Sequence, residues 1–249
     1  MSKIKPPFGN LPIWTPRRRD MVLDLAMLGP GDLLDYSKPN PPMAGTNNGA
    51  TCVTGPHGPV LNSVVNTNYM ELANPIAIPG GTDWTVRFKA KRTVNSNALT
   101  YRNIYGNGAT DSIWLRQDAY IRVRLNNGNV DFTLAKDFES WATYTFVMLD
   151  GVLSLFINGV FSESKTPIDN RLNISHLMAS SASDIYGFSG DLEYFVVDSH
   201  ALSAPEIKEA HDDPWRDWRK DNLLWMAAAQ GGVTPPTGIP ILRRRRECA

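Results

Sequence analysis

The chain has 249 residues, with 25 basic and 25 acidic side chains and so no formal net charge. That length buries a large core without staples, and the neutral balance removes any global drive toward nucleic acid or an anionic membrane. Charged residues make up only 20% while Gly and Pro number 19 and 18, a composition suited to many short strands joined by turns.

Residues 1–20 read as an extended arm, with Pro6, Pro7, Pro12 and Pro16, the single Trp14, and the basic run Arg17, Arg18 and Arg19. Residues 21–212 read as the folded domain, opening with a strand over Met21–Ala26. Leu28 to Gly58 is rich in turn residues. Strands are expected at Tyr69–Leu72, Trp84–Lys91, Ile104–Tyr105, Ser112–Arg116, Tyr120–Leu125 and Asn129–Leu134. In Tyr120–Leu125 the residues Ile121, Val123 and Leu125 face one way and Arg122 and Arg124 the other, the period of two of a half-buried antiparallel strand. Asn126-Asn127-Gly128-Asn129 supplies a hairpin turn.

Tyr144–Leu149 and Val152–Ile157 are strand-like runs joined by Asp150-Gly151, and Asn158-Gly159 follows. Both dipeptides suit turns whose central residues take positive φ. Phe188–Asp198 is a further strand. Ser203, Pro205 and Glu206 then mark a helix start with the spacing of a capping box. Residues 213–249 form a C-terminal arm carrying Trp215, Trp218, Trp225 and the run Arg243–Arg246. So many hairpins with one helix imply two packed antiparallel sheets.

Several of these residues fall in an order that resembles the laminin-G-like, concanavalin-A-like jelly-roll family. They are Trp141, Asp150-Gly151, Asn158-Gly159, Phe188 with Gly190 and Leu192-Glu193, and Ala201-Leu202-Ser203 with Glu206-Ile207. Upstream, Asp35-Tyr36-Ser37 and the strand Trp84–Ala90 match the family's early turn and strand. The resemblance runs from about residue 30 to 210 and implies an all-β two-sheet jelly-roll sandwich with extended arms and one short helix after the last strand. The ending, Ala201 to Trp218, is similar to laminin-G-like proteins of tailed bacteriophages, with Asp213 and Trp218 standing where that group commonly has Asn and Phe.

Chemistry is sparse. Enzymes of this architecture carry alternating acids on one strand, able to act as nucleophile and acid in glycoside hydrolysis. Asp191 and Glu193 are the nearest pair, but they occupy the family's structural position, so no catalytic residue is expected. Asp111, Asp118, Asp131 and Asp150 lie near turns without the dense loop that calcium takes. No cofactor is expected, and calcium, though compatible with the family, has no clear ligand loop. His57, His176, His200 and His211 lack ligand spacing. Cys52 and Cys248 are far apart and read as free thiols, pointing to a reducing compartment. The first residues lack the apolar run of a secretion signal, and no segment is apolar for long enough to span a membrane.

Two binding surfaces are expected. Trp14, Arg17, Arg18, Arg19, Trp218 and Trp225 put large aromatic anchors and cations in the arms, the residue types that dominate interfaces. Tyr101, Tyr105, Trp114 and Tyr120 are candidates for stacking on sugar rings. The resemblance to phage proteins, with cytoplasmic synthesis and no signal, makes the leading expectation a non-enzymatic virion protein. It would decorate or cement the capsid, its arms gripping the major capsid protein or other virion proteins. The alternative is a glycan-binding, receptor-recognition module on a phage tail or fibre. A homo-oligomer is compatible with either role, and neither membrane nor nucleic acid is an expected partner.

Overall fold

The computed structural model describes residues 21–25, 35, 37, 44–63, 68–93, 103–108, 110–115, 120–133, 138–179, 181 and 187–215. They form fifteen strands and one helix: β1 Met21–Leu25, β2 Gly45–Asn48, β3 Thr51–Gly55, β4 Gly58–Ser63, β5 Tyr69–Ile78, β6 Trp84–Arg92, β7 Asn103–Asn107 and β8 Asp111–Leu115, followed by β9 Tyr120–Leu125, β10 Gly128–Thr133, β11 Ala142–Leu149, β12 Val152–Ile157, β13 Val160–Lys165, β14 Leu172–Leu177, β15 Gly190–Asp198 and α1 Ala204–Asp212. Every strand pairing is antiparallel.

Two sheets face each other. An eight-stranded sheet runs β13-β12-β11-β6-β15-β4-β3, with β1 also paired to β15. A seven-stranded sheet runs β10-β9-β8-β7-β14-β5-β2. The expected all-β sandwich with one short helix after the last strand is the architecture found. β2, β3, β4, β13 and β14 were not among the expected strands; polar or turn residues dominate β2 and β3, whereas β14 does alternate Leu172 and Ile174 with Asn173 and Ser175. β5 also runs on past Pro75 to Ile78.

The hairpin chemistry is confirmed residue by residue. Asp150 and Gly151 have φ of 50° and 77°, and Asn158 and Gly159 have 52° and 77°, both central residues being left-handed as a type I′ turn requires. At the β9–β10 turn the left-handed pair is Asn126 and Asn127, at 45° and 67°, rather than any pair containing Gly128. Gly190 is required for another reason. Its φ is 151°, and an added Cβ would lie 2.2 Å from the Lys91 carbonyl oxygen of the neighbouring strand.

The core lies between the sheets and is aromatic at its centre. Phe88 packs on Tyr144, Phe146 and Phe195 with ring centroids 5.3, 6.2 and 6.0 Å apart. Tyr105 reaches across from β7 to meet Phe195 edge-on at 5.7 Å. Asp35 Oδ1 accepts from Asp24 N–H (3.1 Å) and Ser37 N–H (3.0 Å), which ties the early turn to β1. At the other end, Ser203 N–H and Oγ both donate to Glu206 Oε2 at 2.8 Å, forming the side-chain half of the expected box.

The outer surfaces differ. On the eight-stranded sheet, Val147 and Phe156 form a small second core with Leu202 and Ile207, so α1 lies on that face. Trp215 is buried there, edge-on to Tyr194 at 5.7 Å. This arm tryptophan, the one among the described residues, seals the domain.

Candidate functional site

The outer face of the seven-stranded sheet is where polar, charged and aromatic side chains converge. Strand alternation alone creates it: β9 buries Ile121, Val123 and Leu125 and turns Tyr120, Arg122 and Arg124 outward. β8 likewise buries Ile113 and Leu115 and turns out Ser112 and Trp114, while β10 buries Val130 and Phe132 and turns out Asn129, Asp131 and Thr133.

Register then aligns these residues into two lanes across the strands. One lane runs Asp131, Arg122, Trp114, Asn103. The other runs Asn129, Arg124, Ser112, Gly106, His176, Glu71, Thr46, one residue from each of the seven strands. Tyr120, Arg122 and Arg124 follow each other along β9 at about 7 Å intervals, two residues of strand rise each. Gly106 has no side chain, so it interrupts the second lane with a low point.

Within the first lane Arg122 is held firmly. Its Nε and Nη2 donate to Asp131 Oδ1 and Oδ2, both at 2.7 Å. Its guanidinium carbon lies 5.9 Å from the Trp114 ring centroid, at the limit of a cation–π contact. Trp114 is half-buried and thus fixed in place, and Tyr120 beside it is 36% exposed. Where β5 carries extra residues against β14, between Ile174 and His176, Ser175 and His176 are both partly exposed. Ser175 Oγ donates to the Gly106 carbonyl at 3.2 Å and lies 2.7 Å from His176 Nδ1, and the His176 ring sits 5.5 Å from Tyr69. Aromatic rings therefore stand on both sides of Gly106, with hydrogen-bonding groups between.

Of the residues expected to meet sugar, Trp114 and Tyr120 lie on this face. Tyr105 does not. It is fully buried and points into the core, and burial together with the nearby Asp111 charge pushes its phenol well up. A bulge between Asn103 and Tyr105 turns Tyr105 inward. Tyr101, Trp14, Arg17, Arg18, Arg19, Trp218 and Trp225 lie outside the described residues. Tyr69, Arg122, Arg124, Asp131 and His176 were not among the residues expected to meet sugar. The alternation in β9 already turned both arginines outward, whereas Tyr69 and His176 meet only through the β5–β14 pairing.

The acids examined for catalysis are engaged elsewhere, on the eight-stranded sheet. Asp191 accepts from Asn62 Nδ2 at 2.6 Å. Glu193, its side chain 1% exposed, takes Lys89 Nζ at 2.6 Å and lies 3.0 Å from His57 Nδ1. Lys89 also sits 5.6 Å from the Trp141 ring centroid. This is a buried ion cluster. Among the described residues no group of three or more His, Cys, Asp or Glu side chains is placed to hold a metal ion. Asp111 accepts from Asn126 N–H and Asn173 Nδ2, and Asp131 is spent on Arg122.

With this geometry in hand, comparisons define the family. Residues 65–208 match a laminin-G profile described as the Concanavalin A-like lectin/glucanases superfamily, more than half of the chain, and the chain belongs to that superfamily. No curated protein matches it. Among solved structures it is similar to the binding domain of Paraclostridial Mosquitocidal Protein 1, at TM-score 0.59 and 17% identity, covering 80% of this chain and 53% of that one. It is also similar to domain 4 of AbnA, a GH43 extracellular arabinanase from Geobacillus stearothermophilus, solved with arabinotriose, at TM-score 0.57 and 15% identity, over 76% and 97%. A third is the binding domain of botulinum neurotoxin serotype G, at TM-score 0.57 and 16% identity, over 77% and 50%. The chain spans about half the length of the toxin binding domains it matches.

Proposed function

We propose that this member of the Concanavalin A-like superfamily is a non-catalytic recognition module that takes oligosaccharide across the outer face of its seven-stranded sheet. The observation that carries the reading is the alignment of Trp114, Tyr120, Tyr69 and His176 with hydrogen-bonding side chains on the outer face of one sheet. Sugar rings need both: an aromatic surface for their C–H faces, and donors and acceptors that orient the hydroxyls. Relatives of the same fold favour the same class of role, since two are described as binding domains and the arabinanase domain was solved with arabinotriose. The pairing of Glu193 with Lys89 and His57 supports a non-catalytic role for the one adjacent acid pair.

The capsid-decoration reading drew on the arms, whose anchor residues lie outside the described part apart from the sealed Trp215. Recognition therefore takes first place. The virion setting, with capsid or tail proteins as partners, is a separate proposal, tested by counting copies of the protein in purified particles.

The recognition reading is tested by screening the full chain on a glycan array and titrating the best ligand into wild type and Trp114→Ala. The expected result is saturable binding that weakens about tenfold or more in the variant, roughly 1.4 kcal/mol. Equal affinity of the two proteins would move the ligand to another surface.

A further inference from the structure

We propose that Arg124 is the anchor for a carboxylate, so that the oligosaccharide taken by this face is an acidic one; this deepens the glycan-recognition reading and rests on it. Other partly or fully buried cations of the protein are neutralised by an acid. Arg87 is paired with Asp198 at 3.2 Å, Lys89 with Glu193 at 2.6 Å and Arg122 with Asp131 at 2.7 Å. Arg92 and Arg124 depart from this, each with a buried Nε that has no hydrogen-bond partner, but Arg92 lies near the charge of Glu139. Arg124 is only partly exposed, and among the described residues it makes no ion pair.

Its surroundings explain why. Its cross-strand neighbours are Ser112 and Asn129, neither of which carries charge. Asp131, the nearby acid, faces Arg122 and spends both oxygens there. A partly desolvated guanidinium without a counter-charge is unfavourable, and its planar fork of donors matches a carboxylate in two parallel hydrogen bonds. Along the same strand Arg122 and Tyr120 follow at about 7 Å spacing, with Trp114 across from Arg122. A sugar stacked beside Trp114 is therefore within reach of Arg124 through a carboxylate on that ring or the next.

The test titrates the full chain with matched pairs that differ in charge: sialyllactose against lactose, and trigalacturonic acid against its methyl ester. Wild type, Arg124→Gln and Arg124→Lys are compared, with thermal unfolding of each as the folding control. The expected result is that wild type prefers the acidic member of at least one pair about tenfold or more, with a preference that falls as salt rises. Arg124→Gln should abolish the preference, weakening the acidic sugar more than its neutral partner. Arg124→Lys should keep part of it, because the charge remains while the fork is lost. Binding that depends on Trp114 but ignores charge would overturn the carboxylate assignment and leave glycan recognition standing. An acid preference that survives Arg124→Gln would overturn the role of Arg124. Absence of saturable binding to all four sugars and across the array would overturn both readings.

Discussion

The two outer faces of this sandwich follow opposite rules. On the eight-stranded sheet, α1 and Trp215 cover the surface, and the charges beneath are paired and removed from water: Asp198 is fully buried against Arg87, and Glu193 against Lys89 and His57. On the seven-stranded sheet the charged pair Arg122–Asp131 stays partly in water, and Arg124 has no partner among the described residues. The same alternation of strand residues produced both faces. What separates them among the described residues is α1 and Trp215, which pack on the eight-stranded sheet. A face that buries its charges serves stability. On the seven-stranded sheet, Arg124 keeps donors that a ligand can take.

That contrast can be broken first by removing one acid from each face. Asp198→Ala strips the described counter-charge from a guanidinium that is 8% exposed, and should cost about 3 kcal/mol or more in chemical denaturation. Asp131→Ala removes the partner of a cation 20% exposed, and should cost under about 1 kcal/mol. Similar losses from the two would mean that the faces are not energetically distinct.

Alkaline pH titrates buried phenols in the core and on the covered face, Tyr105 and Tyr194, and a Tyr194 variant isolates the second. Burial pushes the Tyr194 phenol up to about 12, while the unfolded chain ionises near ~10. The folded state therefore holds its proton longer than the unfolded state. The contribution is fully present below about pH 10 and is lost as pH rises toward the folded value, roughly 2 to 3 kcal/mol in all. Unfolding free energies measured between these limits should decline more steeply in wild type than in Tyr194→Phe, and matching slopes would remove the cause assigned here.

The smallest effect is at acid pH and at the rim between the sheets. Glu163 is held below the usual carboxylate range by its hydrogen bond to Lys165, and the Thr133 N–H also donates to it. A depressed folded value means stability present above the unfolded carboxylate pKa and lost as pH falls through the folded one. The group is mostly solvated, so the expected contribution is no more than about 0.5 kcal/mol. Melting temperatures of wild type and Glu163→Gln should converge slightly as pH falls below ~4, and divergence would contradict the assignment.

The strands with dense apolar alternation or paired turns were legible from the chain, as was the capped helix. Tyr144–Leu149 and Val152–Ile157 are clear because local propensity and turn chemistry agree there. β2 and β3 are not, since Gly45-Thr-Asn-Asn48 carries no apolar alternation and becomes a strand only by pairing with β5. The candidate site was half legible. Trp114 and Tyr120 were picked out as exposed aromatics, yet the same reasoning chose Tyr105, because a bulge shifts inward and outward positions by one and leaves no local mark. The buried pairing of Glu193 with His57 joins residues 136 positions apart, and no local pattern announces it.

Composition and period were enough to specify an antiparallel sandwich, because hydrophobic alternation and left-handed turn residues act over a few neighbouring positions. Which residues share a face, and which cation is left without a counter-charge, depended on register across the strands. Register is a long-range property set by how two sheets and a returning helix bury their surfaces together, so Arg124 became a site residue only when Ser112 and Asn129 were found beside it.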